Sequence, residues 1–144
     1  QHNIKFIILR FGTVYGGRAN KFNTVFNYIK AAKTKKKIFR ETKGNEVRSY
    51  IHIEDLVKVV FELTKNKYIN NHYNIIGNKK FLVKDLFEII KKKINGLKII
   101  YSKSDKRKYN YKIDPFTYRL RKGKSVKLKK YISLEQGIKE LINN

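Results

Sequence analysis

The chain has 144 residues, with 35 Lys and Arg against 11 Asp and Glu, a formal net charge of +24, and no Cys, Met or Trp. That length is one domain's worth and can bury a core, while the lack of Cys excludes disulfides, thiolate catalysis and zinc-ribbon spacings. No apolar run reaches the roughly 18 residues of a membrane span, and the N-terminus lacks the shape of a signal peptide, so the cytoplasm is the default location.

Residues 4–9 form a short apolar run ending at Arg10 and Gly12, as expected of a strand buried in a parallel sheet. Phe22, Val25, Phe26 and Ile29 recur at helical spacing and predict a helix over 22–33. Ile38 and Phe39 suggest a short strand, and Gly44-Asn45 a turn. Residues 50–53 alternate as a strand does. A helix follows, with Leu56, Val59, Val60 and Leu63 as its apolar stripe and Glu54 and Asp55 in its first turn, where carboxylates favour the helix dipole.

Tyr73 to Ile76 reads as a strand closed by Gly77, Leu82 to Ile94 as a helix, and Leu97 to Tyr101 as another strand. Residues 102–130 are polar, basic and weakly patterned. Ser133 is placed to N-cap a closing helix. Alternating strands and helices give an α/β layout. Only three or four scattered strands are legible, part of a parallel sheet rather than a whole one.

Two segments carry chemistry. In Leu9-Arg10-Phe11-Gly12-Thr13-Val14-Tyr15-Gly16-Gly17-Arg18 a buried strand runs into a Gly-containing turn, and ligands of open α/β sheets bind beyond the carboxyl ends of strands. In Gly44-Asn45-Glu46-Val47-Arg48-Ser49-Tyr50-Ile51-His52-Ile53-Glu54-Asp55-Leu56, Arg48 precedes a strand, with a helix N-terminus shortly after. A guanidinium fork matches phosphate oxygens bidentately and keeps its proton. The plainer alternative pairs Arg48 with Glu46 or Glu54 on the surface. His52, with no partner at metal-ligand spacing, reads as structural, and Asp55 as a brace at the helix start.

These segments resemble the extended short-chain dehydrogenases, the NAD-dependent sugar-nucleotide epimerases and dehydratases. The first is similar to that family's Leu-Arg-aromatic-x-Asn-Val-Tyr-Gly-Pro-Arg loop, with Thr13 for Asn and Gly17 for Pro. The second resembles Gly-x-x-x-Arg-Asp-Tyr-Ile-His-Val-x-Asp-Leu. Tyr73 to Asn78 with Phe81 to Leu86, and Ile132 to Ile138, resemble two later passages in the same order, so the likeness covers residues 4–142.

The resemblance implies the C-terminal portion of an NAD(P)-binding Rossmann-like fold, with the small substrate-binding subdomain, as one unit over 1–144. It implies a nucleotide-sugar substrate bound by Thr13, Arg18, Arg48 and Tyr50, and NAD in the complete enzyme beside Phe11 and Gly12. Arg48 is implied to hold the substrate diphosphate. A homodimer is possible in that complete enzyme.

The family's Arg-Pro-Gly-Asp setting is absent. In its place stand Asp105-Lys106-Arg107-Lys108 and Tyr111-Lys112-Ile113-Asp114-Pro115-Phe116, with Arg107 or Arg119 as possible substitutes. Also absent is the Gly-x-x-Gly-x-x-Gly turn that holds a cofactor pyrophosphate. No Tyr-x-x-x-Lys stands in the context of a catalytic pair: residue 32 after Tyr28 is Ala, residue 115 after Tyr111 is Pro, and Tyr118 with Lys122 lies in a basic stretch. The chain opens on Gln1 without any Met, so a preceding segment is expected, in one longer chain or as a separate N-terminal half.

The charge admits two readings. It suits a polyanion partner such as nucleic acid. It also follows from codon bias, because Lys outnumbers Arg by 28 to 7, with 19 Ile, 14 Asn and only 3 Ala. Lysines spread along the chain favour bias and no sequence-specific nucleic acid.

Overall fold

A computed structural model describes residues 3–102 and 123–143. Arg107, Arg119, the 111–116 segment and the Tyr118–Lys122 pair lie outside the described residues. In chain order the elements are β1 (Ile7–Phe11), β2 (Thr13–Tyr15), α1 (Thr24–Lys35), β3 (Lys37–Arg40), β4 (Val47–His52), α2 (Ile53–Leu63), β5 (Asn71–Ile75), β6 (Lys80–Leu82), α3 (Val83–Lys91), β7 (Lys98–Tyr101) and α4 (Leu134–Asn143). The architecture is α/β, as the alternation predicts, but the strand count is corrected upward. Seven strands form among the described residues, in three small sheets.

β1 pairs in parallel with β5, from Ile7 against Asn71 to Phe11 against Ile75. β2 pairs in parallel with β4, Thr13 standing against Tyr50, and β4 pairs antiparallel with β6. β3 and β7 form a separate parallel pair. The chain therefore leaves one sheet at Phe11 and enters another at Thr13.

Gly12 makes that crossing possible. A Cβ there would stand 2.8 Å from the Ser49 carbonyl oxygen, inside any normal contact. At the end of β5 the fit is tighter still, since a Cβ on Gly77 would lie 1.9 Å from the Tyr50 carbonyl oxygen. Both strands of the first sheet thus end with their backbones pressed on β4, where only glycine fits.

Helix boundaries follow local chemistry. The Asn23 side chain accepts the Phe26 N–H at 3.0 Å, moving the start of α1 to Thr24, and donates to the Val14 carbonyl at 2.8 Å, which fixes the helix to β2. His52 caps α2 by accepting the Glu54 N–H at 3.4 Å. Asp85 accepts the Leu82 N–H at 2.8 Å at the entry to α3, and Ser133 accepts the Gln136 N–H at 3.1 Å at the entry to α4.

α1, α3 and α4 bury one cluster that includes Val25, Ile29, Leu86, Phe87 and Ile138, with Ile38 of β3 and Tyr50 of β4. Ile51, Val59, Leu63, Tyr73 and Ile75 form a second cluster under α2. Tyr50 and Ile51 are adjacent on β4 and point to opposite faces, so this strand is the wall between the two cores. Among the described residues no helix is long and apolar enough to cross a membrane.

Candidate functional site

Just beyond the carboxyl end of β1, between β2, β4 and α1, lies a cleft of about 290 Å³. Thr13 opens β2 on its wall. Arg48 and Tyr50 reach it from β4, two residues apart and so on one face of the strand. Thr24 and Tyr28 follow one helical turn apart on α1, and Val25, Val83 and Leu86 supply apolar surface. Thr13 and Tyr50 are register partners, which sets their side chains next to each other.

Two guanidinium groups line this cleft. Arg40, the last residue of β3, is bonded through all three of its nitrogens. Nε donates to Thr42 Oγ1 at 2.9 Å, one terminal nitrogen to the Tyr28 hydroxyl at 2.8 Å, and the other to Glu46 Oε1 at 2.6 Å. The Thr42 hydroxyl donates to the same carboxylate oxygen. Burial works to raise the Glu46 pKa, but the hydrogen bonds from Thr42 and Arg40 outweigh it and hold the carboxyl below its ordinary value. Arg40 is thus a neutralised, oriented strut.

Arg48 is half-buried and donates to the Val47 carbonyl at 2.8 Å. Glu46 is engaged by Arg40 and Thr42, so the surface pairing of Arg48 with Glu46 does not form. The two phenols at this end of the fold, Tyr15 and Tyr50, are both pushed well above the ordinary value, first by burial. The Tyr15 hydroxyl donates to the Ser133 carbonyl at 3.4 Å.

The structure therefore brings Thr13, Arg48 and Tyr50 together. It places Arg18 elsewhere: this exposed residue, in the left-handed region at φ 61°, lines a neighbouring cavity of about 350 Å³ with Gly16, Gly17, Lys30 and Lys33. Phe11, 39% exposed, and Gly12 lie at the end of β1 and do not line the Arg48 cleft. His52 is buried, stacks edge-on against Tyr15 at 5.3 Å and caps α2. Asp55, 1% exposed, accepts the Ile132 N–H at 2.7 Å and so tethers the segment entering α4.

Sequence reasoning missed Arg40, Tyr28, Thr42 and Glu46. The signal available was alternation. Ile38 points inward and Phe39 outward, so Arg40 returns to the inner face.

A sequence profile of the NAD dependent epimerase/dehydratase family matches residues 1–75, which contain both of the motif segments that build this cleft. The chain belongs to that family. No curated protein sequence matches.

Among solved structures, an NAD-dependent NDP-hexosamine 5,6-dehydratase of tunicamycin biosynthesis is 19% identical with a TM-score of 0.74, over 94% of this chain and 44% of its own. The UDP-glucose 4-epimerase of Thermotoga maritima, solved with UDP-glucose, is 23% identical with a TM-score of 0.73, over 97% and 45%. The ADP-L-glycero-D-manno-heptose-6-epimerase of Helicobacter pylori is 22% identical with a TM-score of 0.69, over 95% and 43%. These likenesses concern the fold, which is that of a Rossmann-like extended short-chain dehydrogenase. The present chain spans less than half the length of each.

Proposed function

We propose that this chain is the substrate-side portion of an NAD-dependent nucleotide-sugar epimerase or dehydratase, of the UDP-glucose 4-epimerase kind. Its role is to grip the sugar-nucleotide diphosphate. The observation that carries the reading is the convergence of Thr13, Arg48 and Tyr50 on one cleft past the end of β1. Arg48 supplies charge to a phosphate oxygen, and the Thr13 and Tyr50 hydroxyls donate beside it. Arg18 borders the neighbouring basic cavity and belongs to the same substrate side.

The 144 residues carry neither a Gly-rich cofactor turn nor a Tyr-x-x-x-Lys pair in a catalytic setting. The dinucleotide-binding part belongs to a longer form of the chain or to a separate half. Two features support this. Parallel sheets are normally covered on both faces, yet among the described residues β1 pairs only with β5, and Ile8 and Phe11 along it, with Ile4 and Phe6 just before it, are exposed. When bound, NAD supplies the family's reversible hydride chemistry. The residues present fit one wall of such a site, with the exposed Phe11 ring and Gly12 at the strand end, but not its pyrophosphate cradle.

The reading is tested by titrating UDP-glucose into the purified 144-residue chain and its Arg48→Ala variant by calorimetry. The wild type should bind weakly and the variant about tenfold more weakly or worse, with no turnover by either in the presence of NAD. Equal affinities would remove the diphosphate assignment, and turnover by the chain alone would remove the partial-enzyme reading.

A further inference from the structure

Helix α1 stands between two hollows. Thr24, Val25 and Tyr28 lie on its side toward the Arg48 cleft. Phe26, Lys30 and Lys33 lie about half a turn round the helix and line the cavity of about 350 Å³. That volume is within the range of small-molecule sites.

The cavity is built in layers. Its floor is apolar, made by Phe26 and Ile29 of α1 with Leu141 of α4. Gly16 and Gly17 form one wall. Gly16 is pressed on the start of α2, where an added Cβ would stand 2.3 Å from Ile53 Cγ2, so this wall is fixed in place. At Gly17 an added Cβ would meet nothing within 4 Å, so the space beside it is open.

The rim is cationic. Arg18 lines it in the left-handed conformation at φ 61°, which a residue with a Cβ adopts only at a cost. Lys33 donates to the Ile142 carbonyl at 3.0 Å, in the last turn of α4, where carbonyls lack helical partners. That bond holds its ammonium at the junction of α1 and α4 and leaves two further N–H donors. Lys30 stands three residues earlier, on the same face of α1. Among the described residues no carboxylate lines the cavity, and none forms a salt bridge with Arg18, Lys30 or Lys33.

We infer that this cavity is a second ligand site, which takes a small amphiphilic anion: a carboxylate, sulfonate or phosphate ester carried on an apolar group of one or two rings. Its charged head meets Arg18, Lys30 and Lys33. Its apolar body covers Phe26 and Leu141, which gain from burial. An inorganic anion leaves that floor wet, and a neutral apolar compound gains nothing from the cations. The site does not rest on the nucleotide-sugar reading, because the Arg48 cleft lies across the helix.

A net charge of +24 attracts any anion, so the test measures what charge alone does not give. Naphthalene-2-sulfonate is titrated into the purified chain by calorimetry at about 150 mM salt, where exposed charges are screened beyond roughly 8 Å. Inorganic sulfate and the uncharged naphthalene-2-sulfonamide serve as the two halves of the probe. The sulfonate should fill one saturable site, and each half should bind at least about tenfold more weakly. Lys30→Glu and Arg18→Gln should each weaken the sulfonate by about tenfold. Lys93→Glu, the same charge reversal at an exposed residue away from the cavity, should leave its affinity nearly unchanged.

Sulfate binding as tightly as the sulfonate, or equal losses in Lys30→Glu and Lys93→Glu, means attraction by net charge alone and overturns the inference. Displacement of the probe by excess UDP-glucose overturns it as well, since the cavity then belongs to the nucleotide-sugar site. A chain that holds the probe but binds no UDP-glucose loses the proposed function and keeps this second site.

Discussion

Arg40 and Arg48 line one cleft. The Arg40 charge is balanced by Glu46, and its worth is orientation. For Arg48→Ala the expected loss is about 1.5–3 kcal/mol of UDP-glucose binding, the usual value of a hydrogen bond to a charged group. Arg48→Lys should recover only part of it, since an ammonium cannot make the bidentate contact. Glu46 makes a separate prediction about pH. Its carboxyl is held below the ordinary 4.5, so the folded state takes up its proton less readily than the unfolded chain. The resulting stability is fully present above that ordinary value and is lost as pH falls below it. Urea unfolding followed from about pH 6 to pH 3 should therefore show a declining midpoint, and Glu46→Gln should flatten that decline while lowering the midpoint at neutral pH. An unchanged acid limb in the variant would sink the assignment.

Helices were the most legible elements, because a period of 3.6 survives in sequence whatever the tertiary partners are. Leu56, Val59 and Leu63 announce α2, and Ser133 announces the start of α4. β2 and β6 were not legible. Each is three residues long, too short for alternation to register, and each exists because β4 lies alongside it. The expected turn after Arg10 is a strand for the same reason: Thr13 to Tyr15 finds a partner in Tyr50 to His52. In the cleft, Arg48 was legible from its motif. The Arg40–Tyr28–Glu46 clamp joins a helix, a strand end and a loop, so no local spacing marks it. One joint between elements is open to measurement. Asn23 both caps α1 and donates to the Val14 carbonyl. Asn23→Ala should cost about 1–2 kcal/mol in chemical unfolding. Asn23→Asp keeps the cap oxygen but loses the donor, and should fall between.

At the scale of the whole molecule the charge of +24 must appear in some measurement. Scattered lysines release counterions on contact with any polyanion, so DNA or RNA of any sequence should bind with an affinity that falls steeply and log-linearly with salt. Filter binding of two unrelated duplexes between about 50 and 200 mM salt is the check, the range over which such contacts lose most of their affinity. A sequence-specific complex that persists at the upper end would favour a nucleic-acid role over the nucleotide-sugar reading.

The placement of β4 has a consequence for how the molecule comes apart. Its inner residues are all sequestered, with Ser49 at 0%, Ile51 at 1% and His52 at 5% exposure, and successive side chains feed different cores. Neither core can dissolve while the other stays intact without stripping one face of the same strand. The described residues should open as one cooperative unit in amide hydrogen exchange, with Tyr50 to His52 among the slowest protons. Ile51→Ala removes side-chain volume from the α2 side alone. It should nonetheless quicken exchange in Leu86 to Ile90 of α3, on the far side of the wall, by the same factor as in β5. Acceleration confined to β5 and α2 would mean that the two cores unfold separately, and that β4 divides the molecule instead of coupling it.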